Sequence, residues 1–356
     1  MHDFLIIGGG VAGVSAAARL APLGSVLLLE AEEHLAYHAS GRSAALFEES
    51  YGRPATIALN RASRAFHEAA GVLSPRGLMA VGQAHEREAF EADRAAMGLR
   101  EIGPDEARAM VPILNPQTLA FAAHSDAAQD IDTDRLIQGF AREARAAGGE
   151  IRTAARVERI GREGTGWTVA AGRESFAARL LVNAAGAWAD RVAAMAGIAP
   201  LGLTPLRRSM ARLAAPGGHD TRAWPMLFGP GETWYAKPDD GALLVSPADE
   251  DAAEPHDAWA DDMVLAEGLA RYEEIVTEPV TRPIATWAGL RTFAPDRTLV
   301  IGFAPDAPGF FWLAGQGGYG MQTSPAAARL AADLIAGRPS ELDPATVAAL
   351  SPSRFG

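Results

Sequence analysis

Apolar runs and runs of small residues alternate along the first thirty positions of the chain. Residues 4–7 are apolar, a glycine-rich stretch follows at 8–13, and a second apolar run at 27–29 ends in Glu30. Short apolar runs on either side of a longer small-residue segment predict a buried strand, a helix and a second buried strand. Parallel strands joined by a helix are the unit from which α/β sheets are built.

Gly8, Gly10 and Gly13 have the Gly-x-Gly-x-x-Gly spacing directly after the first predicted strand. The first glycine of this motif allows a tight turn, the second lets the backbone approach a pyrophosphate, and the third lets the helix pack closely on the strand. Free N–H groups and partial positive charge at the start of the helix suit phosphate. Glu30 stands where it can accept hydrogen bonds from a ribose, so the pattern predicts a dinucleotide site.

Two later stretches of the chain repeat this alternation. In the first, a helix is expected after residues 130–133, and strands at Ile151, 167–169 and 180–183, followed by small residues at 184–188. In the second, strands at 299–301 and 311–313 lead into a glycine-rich loop at 315–320. Ser324 and Pro325 fit the preferences for an N-cap and a first turn, so the last helix is predicted to begin there.

The segments between these stretches, 74–127 and 201–283, combine short β-like runs with acidic helical ones. At 356 residues, the chain also exceeds the usual size of one hydrophobic core. We therefore predict an α/β protein with a discontinuous Rossmann-type dinucleotide-binding domain and an inserted antiparallel-sheet α+β domain that holds the substrate. The predicted ranges are 1–73, 128–200 and 284–356 for the first domain, and 74–127 and 201–283 for the second.

The overall composition excludes several classes of protein. A formal net charge of −12 disfavours nucleic acid, which needs a basic surface. No apolar run reaches the roughly twenty residues that span a bilayer, and the N-terminus lacks the basic start of a signal peptide, so a cytoplasmic, non-membrane-spanning protein is expected. The absence of cysteine excludes disulfides, thiolate metal sites and iron–sulfur clusters. The eight histidines show no metal-binding spacing, and no metal site is expected.

Five motifs together resemble a known family. They are the glycine turn with Glu30 and the stretches at 40–43, 182–188, 286–291 and 315–320. These motifs are similar to those of the FAD-dependent amine oxidoreductases of the D-amino-acid oxidase superfamily. Within that superfamily the chain is most similar to the bacterial D-arginine dehydrogenases, and the likeness extends nearly from end to end.

The resemblance implies a bound FAD, held non-covalently because no cysteine is present for a thioether link. The last glycine loop and the helix after it would favour the anion that forms on the flavin pyrimidine during reduction. The positions that match cofactor-binding residues of the family are Gly8, Gly10, Val11, Ala12, Gly13, Glu30, Ser40, Arg42, Ser43, Ala44, Val157, Ala185, Gly186, Trp188, Arg291, Gly315, Gly317, Gly318, Tyr319, Gly320, Met321 and Gln322.

The resemblance also implies a clamp for an amino-acid carboxylate. In the family, the residues matching Arg291 and Tyr235 bind that carboxylate, the residue matching Arg208 lies beside it, and the one matching Tyr51 lies on a loop that covers the substrate. Gly318 completes the predicted catalytic set. A planar guanidinium that makes two parallel hydrogen bonds is well suited to a carboxylate. Arg291 also follows an apolar, small-residue stretch, where an unpaired charge would be costly.

Five further positions are predicted to line the substrate pocket. Leu78 replaces a glutamate that meets the distal cation in the D-arginine dehydrogenases, and Leu46 replaces a histidine near the reacting centre. An unpaired guanidinium buried against Leu78 would be costly, so arginine is expected to be a poor substrate. Glu48 either faces the pocket, where it could bind a cationic group, or lies with its neighbour on a solvated loop face. Glu232 either orients neighbouring side chains or is an ordinary turn acid, and Gln322 completes the set.

These residues lead to three hypotheses of function. The first is FAD-dependent oxidative deamination of apolar or cyclic D-amino acids, in which hydride transfer to flavin N5 gives imino acids that hydrolyse to 2-oxo acids and ammonia. The second is oxidation of N-substituted glycines or cyclic imino acids such as sarcosine or proline, with 2-hydroxy acids as a weaker variant. The third is a flavin-binding protein without turnover, which the intact clamp disfavours. The electron acceptor would be a quinone, a carrier or oxygen.

Overall fold

A parallel sheet forms around the first glycine motif. In the computed structural model, which describes residues 1–355, the first two apolar runs are neighbouring parallel strands, β1 (His2–Ile7) and β2 (Val26–Leu29), joined by the helix α1 (Val11–Leu20). Ile7 is paired with Leu29 on one side and with Asn183 on the other. The strands therefore end together at the edge where open α/β sheets bind their ligands.

The other elements follow in chain order. The strands are β3 (Leu46–Phe47), β4 (Leu73–Pro75), β5 (Leu78–Gly82), β6 (Arg100–Ile102), β7 (Phe121–Ser125), β8 (Gln129–Ile131), β9 (Glu150–Arg152), β10 (Val157–Glu163), β11 (Gly166–Ala171), β12 (Glu174–Asn183), β13 (Thr204–Ala214), β14 (Met226–Phe228), β15 (Tyr235–Asp239), β16 (Ala242–Ser246), β17 (Ala285–Phe293), β18 (Val300–Phe303) and β19 (Phe310–Ala314). The helices are α2 (Pro54–Ala70), α3 (Arg87–Met97), α4 (Pro104–Met110), α5 (Thr133–Ala146), α6 (Ala189–Met195), α7 (Asp262–Glu273), α8 (Gly320–Ile335) and α9 (Pro344–Leu350).

The first sheet is buried on both faces. Its strand order is β10-β11-β12-β1-β2-β9, with β19 paired to β12 and β18 to β19, and its central pairs are parallel. Ile6 and Leu28 pack toward α1, α5 and α8, whereas Leu5 and Leu27 pack on the opposite side with residues of α6. Burial on both faces explains why these strands are continuous apolar runs in the sequence. The mixed α/β fold matches the predicted fold class.

The second sheet is mainly antiparallel and has one face toward the candidate site. Its order is β17-β13-β16-β15-β14-β5-β7-β6, and the β14–β5 pair is parallel. Successive side chains of a strand point to opposite faces. Accordingly, Met79 and Leu227 pack with α4 and α7, while Leu78, Phe228 and Tyr235 lie in a separate cluster on the other face. This second face forms a wall of the site described below.

A small sheet, β3-β8-β4, is joined to the second sheet by a largely buried charge cluster. Asp130 of β8 accepts hydrogen bonds from Lys237 Nζ of β15 and from Arg76 Nε, which precedes β5, both at 2.8 Å. Buried cations of this kind require a partner, because an unpaired buried charge is costly. The cluster thus fixes the starts of β5 and β15, where Leu78 and Tyr235 lie.

The helix after the last glycine loop begins earlier than predicted. It starts at Gly320, so Ser324 is not its N-cap and Pro325 lies inside it. A proline inside a helix leaves the carbonyl four residues earlier without its usual donor. Here the Ser324 hydroxyl donates to that carbonyl, of Met321, at 3.0 Å. This side-chain bond satisfies the carbonyl that the proline leaves without a backbone donor, and α9 follows α8 as a further helix.

The division into two domains stays a prediction, with one difference at its last boundary. Residues 285–293, predicted in the dinucleotide-binding domain, form β17 and pair along their length with β13 of the second sheet. The apolar, small-residue pattern of this stretch suits a strand of either sheet, so the pattern alone did not indicate its partner. Among residues 1–355, none of the helices is both long and apolar enough to cross a bilayer.

Candidate active site

The glycine turn after β1 is too tight to hold side chains. Gly8 has a φ of 111°, and a Cβ on Gly13 would lie 1.8 Å from the Gly8 carbonyl oxygen. Glu30 lies against the turn, where its Oε2 accepts a hydrogen bond from the Gly9 N–H at 2.5 Å and its Oε1 accepts one from the Glu32 N–H at 2.8 Å. The carboxylate therefore has a fixed position and keeps lone pairs for the hydroxyl groups of a ligand.

A first cavity, of about 500 Å³, opens at the ends of β1 and β2. Nine of the residues predicted to bind the cofactor line it: Gly8, Gly10, Glu30, Ser40, Arg42, Val157, Ala185, Gly186 and Trp188. Arg156 and Arg191 also line it and were not predicted, because isolated surface arginines carry no local signal. The volume and the fixed carboxylate suit the adenosine part of a dinucleotide.

A second cavity, of about 120 Å³, lies between the starts of α1 and α8. It shares the predicted cofactor residues Gly10, Ser40, Arg42 and Gly186 with the first cavity. Further predicted residues that line it are Val11, Ala12, Ser43, Ala44, Arg291, Gly317, Gly318, Gly320 and Met321. The second cavity therefore adjoins the first, and both are lined by residues of the predicted dinucleotide site.

The helices that begin at the second cavity lack the acidic groups found at other helix starts. Neither α1 nor α8 has a capping side chain at its N-cap or an acidic residue in its first turn. In contrast, Asp132 caps α5 and Asp343 caps α9. The Val11 N–H of α1 donates to Ser40 Oγ at 3.0 Å. The partial positive charge of both helix starts is thus available to an anionic group such as a pyrophosphate or a reduced flavin.

A third cavity, of about 100 Å³, lies between the start of α8, the segment after β3 and the second sheet. The predicted residues that line it are Leu46, Glu48, Tyr51, Leu78, Arg208, Glu232, Tyr235 and Gln322, together with Ser43, Ala44, Arg291, Gly318 and Met321. Its apolar wall also includes Met97, Met226, Phe228 and Trp234, which the sequence analysis did not identify. Apolar residues in strands and helices look like ordinary core residues, so only their place in the fold distinguishes them.

Arg208 and Arg291 lie on one face of neighbouring strands. In the β13–β17 pair, Arg208 is opposite Gly289, and Arg291 is opposite the residue two positions before Arg208. Opposed residues of an antiparallel pair, and residues two apart along one strand, share a face. The two guanidinium groups therefore point to the same side, and both line the second and third cavities with Tyr235.

The clamp residues have buried donors without a protein partner. Arg208 is 7% exposed and donates from Nη2 to Glu250 Oε1 at 3.0 Å, but its Nε and Nη1 have no partner among residues 1–355. The buried Tyr235 hydroxyl is equally unpaired within the described chain. Burial lowers the pKa of Arg208, and the positive charge of Arg291 lowers it further. Unpaired buried donors are costly, so this end of the third cavity is suited to an anion with two oxygens.

Three acidic residues near the third cavity differ in their surroundings. Glu232 accepts a hydrogen bond from the Tyr51 hydroxyl at 3.1 Å, and burial together with this carboxylate raises the pKa of Tyr51 well above its usual range. Glu48 faces the cavity and is 8% exposed. Its neighbour Glu49 instead pairs with Arg61 and Arg64 of α2. The two glutamates of this loop therefore point to different environments.

Three predicted cofactor residues line none of the three cavities. Gly13 packs beneath the first glycine turn, and Gly315, with a φ of 70°, directly follows β19. Tyr319 lies behind the second glycine loop, with its ring 5.1 Å from that of Tyr51. Within residues 1–355, His, Asp and Glu side chains form no group of three or more suited to a metal ion.

Comparisons with known proteins agree with this geometry. A family model described as FAD-dependent oxidoreductase (DAO) matches residues 3–334. The chain is 28% identical over 374 residues to a glycine oxidase of Pseudomonas aeruginosa, covering 97% of each chain. A match to an uncharacterised oxidoreductase, YurR, of Bacillus subtilis covers 45% of that protein at 25% identity.

Solved structures share the fold at lower sequence identity. The L-proline dehydrogenase of P. horikoshii superimposes with a TM-score of 0.84 at 21% identity, covering 99% of this chain and 97% of that one. The iminodiacetate oxidase of Chelativorans sp. BNC1 gives a TM-score of 0.80 at 23% identity and covers 98% of both chains. None of these comparisons singles out the D-arginine dehydrogenases that the sequence analysis named as most similar.

Proposed function

Because the chain belongs to the FAD-dependent oxidoreductase (DAO) family, we propose that it oxidises the bond between the α-carbon and the nitrogen of small amino acids, with apolar or cyclic D-amino acids as its substrates. The third cavity carries this proposal. At one end it has the unpaired donors of Arg208 and Tyr235, and much of its remaining wall is apolar. A small amino acid has the matching carboxylate and side chain.

FAD is the cofactor, and the residues at the first and second cavities fit it. Glu30 is placed for the ribose, the start of α1 for the pyrophosphate, and the start of α8 for the pyrimidine part of the flavin. The chain has no cysteine for a thioether link. When bound, FAD supplies an acceptor for the hydride of the substrate's α-carbon.

The residues of the chain bind and orient the substrate beside that acceptor. Arg208, Arg291 and Tyr235 hold the carboxylate, which fixes the α-carbon with respect to the second cavity. Tyr51, with its raised pKa, stays a neutral hydroxyl and a hydrogen-bond donor at neutral pH. The described part of the chain offers no dedicated base, so most of the rate acceleration comes from positioning the α-carbon beside the flavin.

Leu78 supports an apolar or cyclic side chain. It is 4% exposed and forms part of the wall that the second sheet contributes. A cationic side chain against Leu78 would lose its hydration without gaining a partner there, which is unfavourable. The D configuration rests on the resemblance of the Arg208, Tyr235 and Arg291 set to D-arginine dehydrogenases, and the test below compares both enantiomers.

A second candidate substrate class is the secondary amines. L-proline dehydrogenase and iminodiacetate oxidase, which share this fold, act by name on amino acids whose nitrogen carries two carbon substituents. The same carboxylate clamp would serve such substrates, and the apolar wall would accept a ring. N-substituted glycines and cyclic imino acids are therefore the alternative to primary D-amino acids.

Anaerobic titration of the holoprotein separates these classes. The substrates are the two enantiomers of alanine, leucine and proline, together with D-arginine, sarcosine and lactate, and the readout is loss of the oxidised-flavin absorbance. We expect reduction by apolar D-amino acids and little by D-arginine. Reduction by sarcosine or L-proline without reduction by any D-amino acid would favour the second class, and D-arginine as best substrate would overturn the proposal. Peroxide measured in air then distinguishes oxygen from a quinone or carrier as acceptor.

A further inference from the structure

Glu48 is a buried carboxylate in the third cavity with one oxygen left open. It is 8% exposed, and its Oε1 accepts hydrogen bonds from the backbone N–H and the hydroxyl of Ser50, at 3.1 and 2.6 Å. Its Oε2 accepts none of the hydrogen bonds found within residues 1–355, although the side chain lines the cavity. Ser50 thus fixes one oxygen and leaves the other free for a ligand.

The backbone of Glu48 is hydrogen-bonded to the first turn of α8, which begins beside the second cavity. The Glu48 N–H donates to Gln322 Oε1 at 3.1 Å, and Gln322 lies in the first turn of α8. That turn starts at the second cavity, which Gly318 and Met321 also line. Leu78, by contrast, belongs to the second sheet. Glu48 is therefore in direct contact with the helix that begins at the second cavity, whereas Leu78 lies on the wall that the second sheet contributes.

We propose that Glu48 Oε2 binds the ammonium group of the substrate, an inference that rests on the proposed function. The third cavity would then recognise both charges of an amino acid. Arg208, Arg291 and Tyr235 take the carboxylate, and Glu48 takes the ammonium group or its secondary-amine counterpart. A buried carboxylate with a free lone pair gives a strong, charge-assisted bond to such a donor.

The other acidic groups near the cavity already have partners. Glu232 accepts from Tyr51 at Oε2 and, unlike Glu48, is only partly buried. Glu250 accepts from Arg208 and Arg297. Glu49 is held by arginines of α2. Glu48 is therefore the carboxylate best placed to select amines. It would also disfavour 2-hydroxy acids, which satisfy the carboxylate clamp but carry no positive charge.

The test measures binding rather than turnover. 2-Aminoisobutyrate has no α-hydrogen and cannot be oxidised at that carbon, and 2,2-dimethylpropanoate has the same shape with a methyl group in place of the ammonium group. Dissociation constants of both come from perturbation of the flavin absorbance of the holoprotein. Wild type is expected to bind the amine about tenfold or more tightly than the methyl analogue.

Two glutamate variants make the measurement specific. Glu48→Gln keeps an oxygen for Ser50 but removes the charge, and it should bring the ratio of the two constants close to one. Glu49→Gln, one position along the chain, should leave the ratio unchanged. Ser50→Ala removes the hydroxyl bond to Oε1 and keeps the backbone one, so it should reduce the ratio by a smaller factor. It provides a second variant if Glu48→Gln does not retain flavin.

Two results would overturn the inference. The first is a wild-type protein that binds the two analogues equally well. The second is a ratio of dissociation constants that stays unchanged in Glu48→Gln, or in Ser50→Ala where that variant takes its place. Failure of the proposed function is distinguishable. It would appear as a wild-type flavin that no amino acid or secondary amine reduces, whatever the binding ratio of the two analogues.

Discussion

The first and third cavities are built in different ways. The first forms around a turn whose glycines leave no room for a Cβ, and its fixed carboxylate directly follows a strand of the same βαβ unit. The third is formed by side chains from α3, α8, the segment after β3 and strands β5, β13, β14, β15 and β17. A site formed by local backbone geometry is shared by proteins with the same fold. A site formed by side chains that are distant in sequence differs from one protein to another. This difference explains why the cofactor follows from family membership and the substrate does not.

The largest expected effect is loss of the cofactor on filling the glycine turn. In Gly13→Ala, the new Cβ would lie 1.8 Å from the Gly8 carbonyl oxygen, so α1 must move away from the turn. We expect the variant to purify with little or no flavin, as measured by the ratio of flavin to protein absorbance. Gly161→Ala is the control, because a Cβ at Gly161 meets no atom within 4 Å. A fully flavinated Gly13→Ala protein would contradict the backbone-built site.

The next effect is a loss of substrate binding without loss of flavin. Arg208→Lys keeps a positive charge but loses the planar pair of donors, so KM for the best substrate should rise by about a hundredfold. Arg207→Lys is the matched control, since Arg207 points to Asp249 and Asp251 and lines none of the three cavities. Equal kinetic effects in the two variants would contradict the assignment of Arg208 to the clamp.

A smaller effect is expected on the choice of side chain. Leu78→Glu places a carboxylate on the wall contributed by the second sheet, where it can pair with a cationic side chain. The ratio of kcat/KM for D-arginine to that for D-leucine should rise by about tenfold. The flavin content should stay unchanged, because Leu78 lines neither the first nor the second cavity. A ratio equal to that of wild type would show that Leu78 does not meet the substrate's side chain.

The smallest expected effect is on the pH at which flavin is released, through a histidine that contacts the start of α8. His67 of α2 is fully buried and its Nε2 donates to the Gln322 carbonyl at 2.9 Å. Burial lowers the pKa of His67 in the folded protein. Below about pH 6.5 the unfolded state therefore binds a proton more readily than the folded state, and the free energy of unfolding decreases as the pH falls. Acid should therefore release flavin, and His67→Gln should shift the midpoint of release to lower pH by less than about one unit. An identical midpoint in both proteins would contradict this role.

The sequence predicted the first sheet and the glycine turns well because their signals are local. An apolar run, three spaced glycines, a helix and Glu30 lie within thirty positions and define a βαβ unit. The start of α8 was placed too late because Pro325 suits a first turn. The Ser324 hydroxyl, which replaces the lost backbone bond to Met321, is visible only in the fold.

The third cavity was predicted only in part. Its arginines and tyrosines came from the family resemblance, whereas the apolar residues Met97, Met226, Phe228 and Trp234 were missed. Their side chains look like core residues until the strand order is known. The direction of the Glu48 side chain could be inferred from its neighbour in the sequence. Phe47 packs in the core of the first sheet, so Leu46 before it in β3 and Glu48 directly after β3 should face away from that core.

The reductive half-reaction of the wild-type holoprotein tests the central claim most directly. The flavin absorbance is followed after anaerobic mixing with D-alanine and, separately, with D-alanine carrying deuterium at the α-carbon. We predict that the oxidised-flavin band disappears and that the deuterated substrate reacts more slowly, because the α-hydrogen is transferred in that step. A flavin that stays oxidised with D-alanine, with other apolar D-amino acids and with the secondary amines would contradict amino-acid oxidation by this chain.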